Sequence, residues 1–84
     1  MSTERDILVV EDDPAVGQLL LAALREAGFR PELVTNGQTA LKETLRLRPA
    51  VVVLDVMLPD LSGTEVCRRL RADHATQDVG ILMV

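Results

Sequence analysis

The stretch "VVVLDVMLPD", Val51 to Asp60, decides the reading of this chain. Ala50 and Val51 to Leu54 form an unbroken, largely β-branched apolar run, which predicts a buried strand over Ala50 to Val56. Asp55 interrupts that run with a group that resists burial, and Pro59 and Asp60 then turn the chain. A carboxylate at the mouth of a dry strand needs a reason, and Asp55 has no helix of its own to cap.

Working outward, "ILVV" at Ile7 to Val10 is a second buried strand, and it too stops on acid: Glu11, Asp12 and Asp13. Asp13 before Pro14 reads first as the N-cap of a helix, with Asp12 able to take that place. The helix shows an apolar stripe of Val16, Leu19, Leu20, Ala23, Leu24 and Ala27, closed by Gly28 in a left-handed cap. Gly17 inside it weakens the helix, for no reason visible in the sequence. "RPELVT" predicts an edge strand, because Pro31 cannot donate to a central ladder. Asn36 caps a second helix, with Ala40, Leu41, Thr44, Leu45 and Arg48 at helical spacing and Pro49 ending it. A third helix turns Val66, Cys67 and Leu70 inward and Arg68, Arg69 and Arg71 to solvent. "ILMV" is a fourth strand. The order β-α-β-α-β-α-β predicts an α/β fold, a doubly wound parallel sheet with right-handed crossovers.

Composition narrows the function. The chain has 84 residues, 48% of them hydrophobic, with one Phe and neither Tyr nor Trp, so it lacks stacking platforms for single-stranded nucleic acid. A net charge of −4 argues against direct nucleic-acid contact. One cysteine, Cys67, forms no internal disulfide and reads as a small core residue; the polar start "MSTERD" lacks an apolar signal core. A cytoplasmic protein with no membrane partner is expected, with residues 1–5 as a flexible tail. His74 lies in a polar linker without a second ligand at metal spacing and reads as solvent-exposed.

Ligands of open α/β sheets bind at the carboxyl ends of the strands. If the first and third strands are neighbours, Glu11, Asp12, Asp13 and Asp55 meet in one crevice. Such a cluster takes up a proton or a cation, and carboxylates without His or Cys favour Mg²⁺. Phosphate oxygens often complete the shell of Mg²⁺, so the crevice suits phosphoryl transfer, with Asp55 placed as nucleophile. Glu11 taken alone is equally an ordinary strand-end acid.

"ILVVEDDP" and "VVVLDVMLPDLSG", in this order and on the predicted strands, resemble the receiver domain of two-component response regulators. The resemblance runs from Asp6 to Val84. It implies a flavodoxin-like, CheY-like sheet of order 2-1-3-4(-5). It implies a Mg²⁺-dependent signalling domain, rather than a turnover enzyme, that accepts a phosphoryl group from a sensor histidine kinase or phosphotransfer protein and switches an output. Asp55 matches the phospho-acceptor and a metal ligand, Asp12 the direct metal ligand, and Glu11 the acid that holds the metal through water. Met57 would give its backbone carbonyl to the metal; Pro59 and Gly63 match the turn into the third helix, and Asp13 keeps its capping role.

Gly80 stands where the family often has Pro. The family's phosphoryl-sensing Ser or Thr falls just past Val84, and its paired Lys later still, with a fourth helix, fifth strand and fifth helix. Residues 6–84 are thus expected to be a partial receiver whose fourth strand leaves an apolar edge. That edge motivates the alternative, a non-phosphorylated assembly module associating through the fourth strand. An aspartate phosphatase of the haloacid dehalogenase type is disfavoured, since it wants a second acid where Met57 stands.

Overall fold

The computed structural model describes residues 6–84, so the tail expected over residues 1–5 lies outside the described residues. The elements run β1 (Ile7–Val10), α1 (Pro14–Glu26), β2 (Pro31–Val34), α2 (Gly37–Leu47), β3 (Val51–Leu54), α3 (Gly63–Ala72) and β4 (Gly80–Met83). All strands are parallel, as the alternation predicts, and the sheet order is β2-β1-β3-β4, the order that the receiver-domain resemblance implies. Pro31 does lie on an edge strand.

The period of two along each strand sorts the core onto two faces. Leu8, Val10, Val52 and Leu54 point to one face, where α2 and α3 cover them with Ala40, Val66 and Leu70. Ile7, Val9 and Val53 point to the other, beneath Leu20 and Leu24 of α1. Burying each Val or Leu side chain contributes about 1.5–3 kcal/mol. Asp6 closes the far end of the sheet, its carboxylate accepting from the Arg30 amide at 3.1 Å and from the guanidinium at 2.9 Å.

Several details differ from the sequence reading. β3 is shorter than Ala50 to Val56: its paired register with β1 runs from Ile7 and Val51 to Val10 and Leu54. The buried face of α1 is Gly17, Leu20, Leu21 and Leu24, whereas Val16, Leu19, Ala23 and Ala27 are exposed. The helix is rotated because Gly17 lets α1 approach β2: a Cβ there would come 2.9 Å from Leu33 Cδ2. On α2 the inward residues are Gly37, Ala40 and Thr44, while Leu45 is exposed. Arg48 ends that helix in the left-handed region at φ 49°, which leaves Pro49 free to start the next segment. Gly28, at φ 96°, closes α1 in the left-handed conformation.

Arg68, Arg69 and Arg71 of α3 face solvent as expected, and each also makes a bond at the surface. Arg68 and Arg69 both clamp Glu65, and Arg71 donates to the carbonyls of Gln77 and Val79, tying α3 to the entry of β4. Leu82 and Met83 at the end of β4, and Val84 just after it, have exposed side chains. No helix among the described residues is long and apolar enough to cross a membrane.

Candidate functional site

The ladder carries both acidic positions to one edge of the sheet. Val10 pairs with Leu54, so Glu11 and Asp55 are the next residues out on neighbouring strands. Backbone bonds extend one step further: Glu11 N–H donates to the Val34 carbonyl at 3.0 Å, and Asp55 N–H to the Val10 carbonyl at 3.2 Å. Both Cα positions are therefore set by the sheet rather than by a loop.

Carboxylate oxygens of Glu11, Asp12 and Asp55 lie within 4.8 Å of one another. Burial differs along the cluster. Glu11 is 6% exposed, Asp55 half-buried and Asp12 exposed. Desolvation pushes the Glu11 carboxyl above its ordinary value; the Asp13 amide opposes this, and the negative charges of Asp55 and Asp12 add to it. The Asp13 N–H reaches Glu11 Oε2 at 3.1 Å and orients that carboxylate. Asp55 Oδ1 accepts from the Met57 N–H at 3.1 Å, so the first residues of the following loop fold back on the carboxylate.

Three acids converge, not four. Asp13 is the N-cap of α1, its Oδ1 accepting from Ala15 N–H at 2.9 Å and Val16 N–H at 3.4 Å. The helix dictates this: its first amides have no intrahelical partner, and a carboxylate at that end is favourable. The Met57 side chain is 80% exposed, so any role for this residue rests with its backbone. Pro59 is exposed in the turn, and Gly63 is buried at the start of α3, where its N–H closes the loop onto the Val56 carbonyl at 2.7 Å. His74 is exposed and Cys67 packs against the core.

One residue of this region was not legible as more than a turn former. Asp60 accepts from the Gly37 and Gln38 amides of α2 at 2.7 and 2.8 Å. The partners are more than 20 positions away, so no local pattern marks them.

The sequence matches the model of the response regulator receiver domain over residues 7–84. The chain belongs to that family. The receiver is 47% identical to the DNA-binding response regulator MtrA of Mycolicibacterium smegmatis over 74 residues, covering 87% of this chain and 32% of MtrA. It is 37% identical to the DNA-binding dual master transcriptional regulator RpaA of Synechocystis over 78 residues, covering 93% of this chain and 32% of RpaA. The receiver thus spans about a third of the length of these curated relatives. Among solved structures it resembles the receiver domain of a Pseudomonas aeruginosa sensor histidine kinase, with a TM-score of 0.90, 33% identity, and coverage of 96% of this chain and 66% of that one. That structure holds a magnesium ion coordinated in its active-site cleft. The relatives' names carry DNA binding, so they lend no support to the expectation that nucleic acid is not a partner.

Proposed function

We propose that this receiver accepts a phosphoryl group on Asp55 from a sensor histidine kinase or phosphotransfer protein and thereby switches an output. The observation that carries the reading is the grouping of Glu11, Asp12 and Asp55 within 4.8 Å at the carboxyl edge of a receiver sheet. The donor set is all carboxylate, with neither His nor Cys, and fits Mg²⁺. Asp12 and Asp55 would hold the ion directly, Glu11 through water, and Met57 through its backbone carbonyl. When bound, Mg²⁺ offsets the negative charge of the cluster and of the phosphoryl oxygens.

The chain's own residues do the rest. β3 holds Asp55 rigidly, and the Met57 amide on Oδ1 orients its carboxylate for in-line attack. An Asp55 oxygen forms the new O–P bond while the P–N bond of a phosphohistidine breaks, its electron pair leaving on the imidazole. Glu11, buried and crowded by like charge, gives the cluster its affinity for a cation. The test is incubation with a small acyl-phosphate donor, with and without Mg²⁺. The protein should label only with Mg²⁺, and Asp55→Asn should not label while keeping its circular dichroism. Equal labelling of the variant refutes the assignment.

A cytoplasmic location belongs to the same reading, since the phosphodonors act there. The DNA binding named for MtrA and RpaA belongs to proteins of which this chain spans a third. With a net charge of −4, these 84 residues are assigned no direct nucleic-acid contact of their own.

The exposed Leu82 and Val84, at 56% and 59%, favour a second reading as an assembly module joined through the β4 edge. In that case self-association measured by sedimentation persists unchanged with or without Mg²⁺ and phosphodonor. Association that follows phosphorylation assigns the edge to the switch instead.

A further inference from the structure

The connection from β3 to α3 carries both Asp55 and Met57, and most of it is exposed: Val56, Met57, Pro59 and Asp60 all face solvent. Its base is closed by the Gly63 N–H on the Val56 carbonyl. Leu58 and Leu61 pack against the core and the Met57 N–H bonds Asp55 Oδ1, but side-chain packing by itself does not direct a backbone carbonyl. A carbonyl that serves as a metal ligand needs a fixed direction, held to within about 0.5 Å.

Asp60 supplies a polar anchor that the backbone itself feels. Oδ1 accepts the Gly37 N–H at 2.7 Å and Oδ2 the Gln38 N–H at 2.8 Å, while Oδ1 also takes the Leu61 N–H at 2.8 Å. The first two are short, charge-assisted bonds to the opening amides of α2, where the helix dipole favours an anion. The same amides hold the Asp60 carboxyl below its ordinary value, so it stays ionised at neutral pH. Gly37 makes the approach possible, since a Cβ there would come 2.9 Å from Leu61 Cβ and Val66 Cγ2. The α2 terminus has its own local cap as well: Asn36 Oδ1 accepts from Thr39 N–H at 2.8 Å. The Asp60 clamp therefore joins the connections that follow β2 and β3, on either side of β1 in the sheet.

We propose that Asp60 is a positioning residue for the acidic site: by clamping the β3–α3 connection onto the start of α2, it fixes the backbone that presents the Met57 carbonyl to Mg²⁺. This rests on the metal reading given above. Removal of Asp60 should leave the carboxylate cluster in place and weaken the metal that the loop helps to hold.

The experiment compares the unmodified protein with Asp60→Ala, Asp60→Asn and Asn36→Ala, measuring Mg²⁺ affinity by calorimetry, metal-free Tm, and amide exchange of residues 57–61. Asp60→Ala should raise the Mg²⁺ Kd about tenfold, the scale of a lost outer-shell partner, and speed exchange at Met57 and Leu58. Asp60→Asn, which keeps one acceptor, should fall between; it also carries the comparison if the alanine variant unfolds. Asn36→Ala removes a cap of the same helix without touching the loop, so it should lower Tm and leave the Kd unchanged. An unchanged Kd in both Asp60 variants, or an equal loss in Asn36→Ala, overturns the positioning role and leaves the metal site standing. An unmodified protein that binds no Mg²⁺ overturns both.

Discussion

Gly63 lies directly against the peptide carbonyl of Asp55, so that a Cβ on Gly63 would overlap that oxygen and come within 2.9 Å of Val56 Cα. The obstacle is backbone, which cannot rotate away as a side chain can. The start of α3 thus packs directly on the backbone that leaves β3, with no room for a side chain between them.

Gly63→Ala should accordingly be among the more damaging single-methyl additions in the chain. Overpacking of this kind costs about 1–3 kcal/mol or more. Urea unfolding followed by circular dichroism checks it; a midpoint equal to that of the unmodified protein refutes the contact.

Gly17→Ala makes the contrasting case. The added Cβ meets only the Leu33 side chain, at 2.9 Å from Cδ2, and Leu33 is half-buried on an edge strand. Alanine also improves helix propensity by about 1 kcal/mol. The net change should lie within about 1 kcal/mol of zero, well short of the Gly63→Ala loss, in the same urea experiment.

Glu11→Gln should stabilise the metal-free protein at neutral pH. The Glu11 carboxyl is raised above 4.5 in the fold, first by desolvation, so the native state holds the extra proton between 4.5 and that higher value. Stability from this group therefore falls as pH rises across the window, and glutamine escapes the loss. The Tm advantage of the variant should widen from about pH 4 to about pH 7 and disappear in acid. With Mg²⁺ added, the ordering should reverse, because the ion relieves the crowded charge only where the charge exists.

Glu65→Gln tests the opposite sign. The Arg68 and Arg69 guanidiniums hold the Glu65 carboxyl down at about 2, against an ordinary 4.5. Its stabilisation is complete above 4.5 and is lost as pH falls through about 2. The variant should melt lower than the unmodified protein at neutral pH, and the two curves should converge in acid. Added salt should shrink the neutral-pH difference, since all three groups face solvent.

Arg71→Ala should lower Tm by about 4–8 °C. Its guanidinium bonds the carbonyls of Gln77 and Val79 at 2.8 and 2.5 Å and so pins the approach to β4. Thermal melting checks the shift. Proteolysis between Asp73 and Val79 should quicken in the variant; an unchanged cleavage rate there refutes the pin.

Much of this protein was written locally and could be read without coordinates. Apolar runs ending in acid announced β1, β3 and the acidic edge, because a strand's burial and its terminal residue are neighbours in sequence. Caps at Asp13, Asn36 and Gly28 were legible for the same reason: each acts within a few residues of itself. Contacts between distant elements were not. The rotation of α1 followed from Gly17 meeting Leu33, and the use of Asp60 from helix amides more than 20 residues away. Sequence alone determined which groups stand at the strand ends, since periodicity and capping are short-range. Only the tertiary structure decided which of them meet, since a carboxylate goes to whichever unpaired amide or neighbouring charge the packing brings within reach.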